Sequence, residues 1–247
     1  MEQNTKKVAI VAGAGAGVGR ATALTLAKEG KLLVLVGRSE ANTMETAKMA
    51  SEFTQAIPVI ADVSSEKDTI RYVNTAVETF GRIDIFVNSA ARFQPEVLLA
   101  DTEASLFDDI IRINLRGAFL GMKYVLRQMI QQKSGVIVNV ASHDGLFSEP
   151  THGSYSVSKH GMIGLTKNAA TEYGSLGIRS CAVCPGAINT KKIAHILSND
   201  QFDRSLLGPM RRPAEPQEIA DIISYLCSDQ ASYLNGAIVR ADGGMSL

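Results

Sequence analysis

Short runs of consecutive apolar residues recur along the chain, and each is followed by a stretch with helical spacing. Residues 8–12 read Val-Ala-Ile-Val-Ala, the continuous apolar run expected of a parallel strand buried on both faces. Comparable runs lie at 31–36, 57–61, 83–87, 136–141, 178–184 and 237–240. Between them the spacing predicts helices over 20–29, 40–53, 66–80, a long region at 102–132, then 154–174 and 216–227, the last with Pro216 in its first turn. Strand alternates with helix throughout, without antiparallel signals. That pattern predicts an α/β fold: one doubly wound parallel sheet of about seven strands, with helices on both faces. No linker or break in composition divides residues 1–247, so a single domain is expected. The segment 187–213 has little periodicity and is expected to cover a substrate.

Composition narrows the partners. Twenty-five basic and twenty-five acidic residues cancel, which argues against a nucleic-acid or anionic-membrane surface. No apolar run approaches the ~20 residues that span a bilayer, and residues 1–7 are polar, unlike a secretory signal. A cytoplasmic location is expected. The three cysteines, Cys181, Cys184 and Cys227, are odd in number and fit a reducing compartment. Cys181 and Cys184 have the spacing of half a zinc site, but in a strand positions three apart face opposite sides, so no metal site is expected.

The first strand runs into Gly13-Ala14-Gly15-Ala16-Gly17-Val18-Gly19 and then a helix. Residues without side chains let the backbone approach a pyrophosphate, and a helix N-terminus adds partial positive charge. Strand, glycine loop and helix therefore predict a dinucleotide site in a Rossmann-type domain, with Gly13, Ala16, Gly17, Val18 and Gly19 around the phosphates. The second strand ends at Gly37-Arg38-Ser39. An acid there suits the ribose 2′-hydroxyl of NAD(H), whereas an arginine suits a 2′-phosphate. With no acid and with Arg38 and Ser39 present, NADP(H) is favoured over NAD(H). Asp62, beside Val63, could cap the next helix or meet an adenine amino group, and these two readings stand level. The small residues of Asn88-Ser89-Ala90-Ala91 let a cofactor lie close to the fourth strand.

Candidate chemistry gathers at 142–159. Ser142 stands at the tip of the fifth strand, where open α/β sheets bind ligands. Tyr155 and Lys159 are four apart on a predicted helix, which places phenol and ammonium on one face. A cation within ~4–6 Å shifts a group by about 1–3 units, so Lys159 is expected to lower the Tyr155 phenol enough for proton transfer near neutral pH. Ser142 could hold the reacting oxygen. Asn114, a polar amide among apolar neighbours, is either a satisfied core group or part of a polar chain toward Lys159. His143, Leu146, Phe147 and His152 are candidate pocket walls, with ordinary loop histidines as the favoured reading for the two imidazoles.

In order and spacing, these motifs together with Pro185-Gly186 and Asp242-Gly243-Gly244 resemble the short-chain dehydrogenase/reductase family over essentially the full length, with similarity to its 3-oxoacyl-acyl-carrier-protein reductase-like members. The resemblance implies an oxidoreductase moving hydride between a nicotinamide cofactor and a small alcohol or carbonyl substrate. Tyr155 would be the general acid/base, and Lys159 would lower its pKa and bond the nicotinamide ribose. Ser142 would orient the reacting oxygen, and Asn114 would help hold a relay water. Gly13, Gly17, Val18 and Gly19 would surround the pyrophosphate, Asp62 and Val63 the adenine, Asn88 and Ala90 the adenosine ribose, and Ile188 the carboxamide. The family is commonly tetrameric, which implies a homotetramer. The chain departs from the family pattern at Ala12, usually threonine, and at Ser89-Ala90-Ala91, usually Asn-Ala-Gly. Ala16 also stands where many NADP-preferring members carry a basic residue. A cofactor-sensing regulator without turnover and a non-redox lyase on the same scaffold are the competing functions. Acyl thioesters, sugars, polyols and other secondary alcohols are all compatible substrates.

Overall fold

The computed structural model describes residues 6–190 and 203–247. Seven parallel strands form one sheet in the order β3-β2-β1-β4-β5-β6-β7: β1 Val8–Ala12, β2 Leu32–Gly37, β3 Ala56–Ile60, β4 Ile85–Asn88, β5 Gly135–Val140, β6 Ile178–Pro185 and β7 Ile238–Ala241. The order reverses between β1 and β4, and a crevice opens there at the carboxyl ends of the strands. Every strand predicted from the apolar runs is present. Their ends differ by one or two residues, the usual scatter where hydrogen bonding thins out.

The runs are apolar throughout because both faces of the sheet are covered. Val8, Ile10 and Ala12 point into one core layer with Phe86 and Ile137. Ala9 and Val11 point into the other with Leu33, Leu35, Ile85 and Val87. The first layer is closed by α3 (Glu66–Phe80), α5 (Gly117–Gln132) and α6 (Gly153–Tyr173). The second is closed by α1 (Gly17–Lys28), α2 (Glu40–Ala50) and α7 (Pro216–Cys227). The period-two alternation separates Cys181 in the second layer from Cys184 in a smaller cluster beneath α6.

One prediction needs correction. The region 102–132 is not one α-helix. It begins with α4 (Ala104–Ile110), passes through a π-helical stretch at Ile111–Arg116, and only then becomes α5. Apolar spacing does not register an inserted residue, and π turns collect at functional sites. This one carries Asn114, whose side chain is fully buried.

Candidate active site

The β1–α1 loop is held down by its glycines in two different ways. Gly13 has φ +85°, and a Cβ there would lie 2.6 Å from the Ala90 amide nitrogen. A Cβ on Gly19 would lie 2.1 Å from the Gly13 carbonyl oxygen. These two allow the loop to press against the end of β4 and against itself. Gly17 differs: its φ is +53°, a conformation that side chains rarely adopt, and a Cβ there would only touch Thr190 Cγ2 at 3.7 Å. The N-cap of α1, Ala16, contributes no side-chain bond, and the first turn contains no acid. The free amides and positive dipole end of α1 thus point into the crevice, an arrangement that attracts phosphate. The Arg20 guanidinium braces the loop from outside by donating to the Gly15 carbonyl at 2.8 Å.

Two cavities continue along this crevice. One of about 530 Å3 is lined by Gly13, Arg38, Ser39, Val63 and Ala90, among others. One of about 190 Å3 is lined by Val18, Ser142, Tyr155, Lys159 and Ile188, among others. Ala16, Ser89 and Ala91 border both. A glycine face that a Cβ would disrupt, an uncapped helix end and a groove leading on to Tyr155 fit a dinucleotide. The phosphates would lie at Gly17 and Val18, and the nicotinamide end by Ile188.

Asn88 and Asp62 each make bonds within the protein. Asn88 is buried, and its amide donates to Asn139 Oδ1 at 3.4 Å, while Asn139 donates to Thr166 Oγ1 at 2.9 Å. These side chains tie β4, β5 and α6 together beneath the groove floor. Asp62 does not cap α3, whose N-cap is Ser65. Its carboxylate accepts from the Ser64 amide and hydroxyl at 2.9 and 2.7 Å, and Arg112 lies 3.7 Å away. Burial raises the Asp62 pKa, and those hydrogen bonds with the nearby Arg112 and Arg38 charges outweigh it, leaving it below its ordinary value.

Tyr155, Lys159 and Ser142 do converge. Tyr155 and Lys159 are 9% and 2% exposed. The Lys159 ammonium donates to the Val140 carbonyl at 2.7 Å, at the end of β5, and stands 5.5 Å from the centroid of the Tyr155 ring. The start of α6 is fixed by Gln94, which is almost wholly buried. Its Oε1 accepts from the Tyr155 amide at 3.1 Å and its Nε2 donates to the Thr151 carbonyl at 2.7 Å. Gln94 substitutes for a cap that His152, the N-cap residue, does not supply. Asn114 clamps the Arg92 backbone in both directions, at 2.7 and 3.0 Å, and donates to Ser158 Oγ at 3.1 Å. It reaches α6 one residue short of Lys159.

The expected acidity of Tyr155 is reversed in this state. Burial pushes the phenol above its ordinary value, the Ser142 hydroxyl pulls it back, and the Asp144 carboxylate pushes it up again. Lys159 is pushed down to about 8, chiefly by burial, with Cys184 and Asp144 acting the other way. The ammonium lies over the ring, and desolvation of both groups outweighs their proximity.

Sequence reasoning also passed over Asp144. It is 5% exposed, its amide donates to Ser142 Oγ at 3.1 Å, and its carboxylate meets His152 Nδ1 at 2.9 Å. Asp144 directly follows His143 in the loop after Ser142, and that adjacency was the available signal. His143, also buried, is held by Ser246 Oγ at 2.9 Å and Glu149 Oε1 at 3.0 Å. The part of the predicted substrate segment at 191–202 lies outside the described residues.

The crevice and its buried tyrosine–lysine pair define a dinucleotide-dependent α/β oxidoreductase. A family model described as enoyl-(acyl carrier protein) reductase matches residues 13–246. Levodione reductase of Leifsonia aquatica is 39% identical over 98% of this chain and 95% of its own. A crystal structure of levodione reductase superposes with a TM-score of 0.91 at 38% identity, covering 97% of both chains. A 3-oxoacyl-acyl-carrier-protein reductase of Thermotoga maritima is 33% identical over 97% of each chain. An NAD+-bound xylitol dehydrogenase superposes with a TM-score of 0.91 at 31% identity, covering 99% of this chain and 100% of its own. The chain belongs to the short-chain dehydrogenase/reductase family. It is a nicotinamide-dependent oxidoreductase acting at an alcohol or ketone carbon, and neither the silent sensor nor the lyase is favoured.

Gly19→Ala tests the loop. Its Cβ meets main chain that can yield only by moving the phosphate-facing turn, and overpacking of this kind costs about 1–3 kcal/mol. Titration of nicotinamide nucleotide binding is expected to show affinity weakened by about tenfold or more, with the circular dichroism spectrum unchanged.

Proposed function

We propose that this protein is an NADP(H)-dependent reductase/dehydrogenase of small ketones and secondary alcohols, with Tyr155 as its general acid/base. The observation that carries the reading is the position of Ser142, Tyr155 and Lys159 at the far end of the groove that begins at the α1 N-terminus. When bound, the nicotinamide cofactor supplies or accepts the hydride. Ser142 orients the reacting oxygen, and the Tyr155 hydroxyl gives it a proton as negative charge develops there. Lys159, fixed by Val140, balances the phenolate this leaves. Asn114 holds the Arg92 turn and α6 so that a water can be placed next to Lys159.

Arg38 and Ser39, which line the adenosine end without an acid at the tip of β2, support the 2′-phosphate. Val63 and Ala90 line the same end. Half-exposed Phe119 on α5, beside a groove shared with α6, supports a homotetramer. Three free, buried cysteines support a cytoplasmic setting. No helix among the described residues is long and apolar enough to cross a membrane.

Tyr155→Phe is expected to lower kcat by about 10²–10⁴-fold, the usual worth of a positioned acid, while cofactor affinity stays within about twofold. Near-normal turnover would remove Tyr155 from its role. Arg38→Leu should reduce kcat/KM for NADPH by about 10- to 100-fold, since a hydrogen bond to a charged group is worth about 1.5–3 kcal/mol, and leave NADH little changed. Equal or better use of NADH by the unmodified enzyme overturns the cofactor preference. Because burial sets Lys159 near 8, kcat/KM for reduction should be level below about pH 8 and decline above it, as the ammonium is lost while the phenol, pushed upward, keeps its proton.

A further inference from the structure

The short turn after Ser142 contains a buried acid with no part in the chemistry described above. His143–Gly145 form one 3-10 turn, seated so closely on α6 that a Cβ on Gly145 would lie 3.0 Å from the Lys159 carbonyl oxygen. From this turn Asp144 makes two connections. Its amide donates to Ser142 Oγ at 3.1 Å. Its carboxylate holds His152 Nδ1 at 2.9 Å across the gap to the first residue of the α6 approach. The His152 ring meets Phe93 edge-on, centroids 4.8 Å apart, and Phe93 packs on the Tyr155 ring at the same centroid distance. Asp144 thus touches the substrate-orienting hydroxyl directly and the proton donor through two rings.

We infer that the Asp144–His152 pair is a positioning unit for the Ser142–Tyr155–Lys159 site, and that the Asp144 charge keeps this site in its proton-donating form at alkaline pH. The inference rests on Tyr155 being the acid/base. A carboxylate near both groups favours the neutral phenol and the charged ammonium, the first of which gives up its proton in carbonyl reduction while the second balances the phenolate left behind. The field at both residues has this sign: Asp144 pushes Tyr155 upward and also acts upward on Lys159. Its own acidity is lowered by burial, so its pKa rises above the ordinary carboxylate range, and His152 and His143 oppose this.

The other ionisable groups facing the pair are few among the described residues. His143 lies on the same turn, bonded to Glu149 and 3.9 Å from Asp242 Oδ2. Glu149 pushes Asp144 further up. From β6, Cys184 faces Lys159, and burial pushes its thiol up to about 11, so it is uncharged over the working range. Asp144 is therefore the buried negative group that acts on both Tyr155 and Lys159.

Asp144→Asn keeps the backbone bond to Ser142 and removes the charge. The ratio of wild-type to D144N kcat/KM for carbonyl reduction is the readout, followed from pH 5 to 10. It should be smallest at acid pH, where the wild-type carboxyl gains its proton, and grow to about tenfold at alkaline pH, as the D144N decline begins about one pH unit earlier. KM for the nicotinamide cofactor should stay within about twofold. His152→Gln, which can still donate to the carboxylate, should keep the wild-type profile, and His152→Leu should move it toward D144N. A ratio that is the same at every pH, with H152Q and H152L alike, means packing alone and overturns the proposal. Should D144N not fold, the two His152 variants decide it in the same way. Normal turnover by Tyr155→Phe would instead remove the underlying acid/base assignment, whatever the Asp144 ratio shows.

Discussion

The rest of the site depends on one buried cation. An ammonium removed from water costs several kcal/mol unless its donors are met, and Lys159 is 2% exposed. What meets it is the Val140 carbonyl at the last residue of β5. A strand end is a natural place for this bond. The carbonyl there has left the ladder, so it is free to accept, and the sheet beneath makes it immobile. The Tyr155 ring face lies 5.5 Å from the same charge, close enough for the ring quadrupole to contribute. Once Lys159 is fixed, the helix that carries it is fixed in rotation, and Tyr155 one turn earlier is aimed at the Ser142 side of the crevice. Gln94 then sets the height of that helix by holding the Tyr155 amide. The position of the Tyr155 phenol therefore follows from two buried polar contacts to elements that cannot move independently.

The nucleotide end is organised by the opposite means, the absence of side chains. Gly13 and Gly19 give the close main-chain approach, and Gly17 gives a positive φ at the start of α1. Arg20 and Asn42 then close the outer side of the loop. All seven residues from 13 to 19 are small or aliphatic, and only the tertiary fold separates the glycines pressed against main chain from Gly17, which is not.

The architecture was legible in the sequence because a parallel sheet covered on both faces demands apolar runs, and a covered helix demands a stripe. Both demands are local and periodic. For the same reason α3 and α7 came out with their observed limits, although the cap of α3 is Ser65 and not the Asp62 that the sequence offered. The π stretch at Ile111–Arg116 was not legible, because one extra residue per turn leaves the count of apolar positions almost unchanged. Asn114 stood out by its polarity, but its partners, the Arg92 main chain and Ser158, are 22 and 44 residues away. Asn88 shows the same limit: next to a groove in sequence, it turns to Asn139 below the groove. Asp144 was missed because a polar residue in a loop is expected to be exposed. Its burial follows from the loop being pressed between α6 and the segment at Asp242–Ser246, which only the tertiary fold shows.

The sign of the Tyr155 shift carries the most instruction. Spacing alone suggested that a neighbouring lysine would make the phenol acidic, yet burial makes the phenol less acidic and the ammonium more so. Low dielectric penalises each charge separately. It does not penalise in the same way the pair formed when the phenol gives up its proton beside the ammonium, because the two charges then attract strongly over a short distance. The site before transfer holds a buried ammonium with the Asp144 carboxylate nearby, and transfer sets a phenolate beside that ammonium. A reacting oxygen that is becoming an alkoxide is a stronger base than a phenolate, so a phenol that resists ionisation in the resting site can still deliver its proton when that oxygen arrives. Resistance to ionisation also keeps the donor protonated until the substrate is in place. On this argument the raised phenol and the lowered ammonium are two results of one burial, and that burial favours the transfer as well.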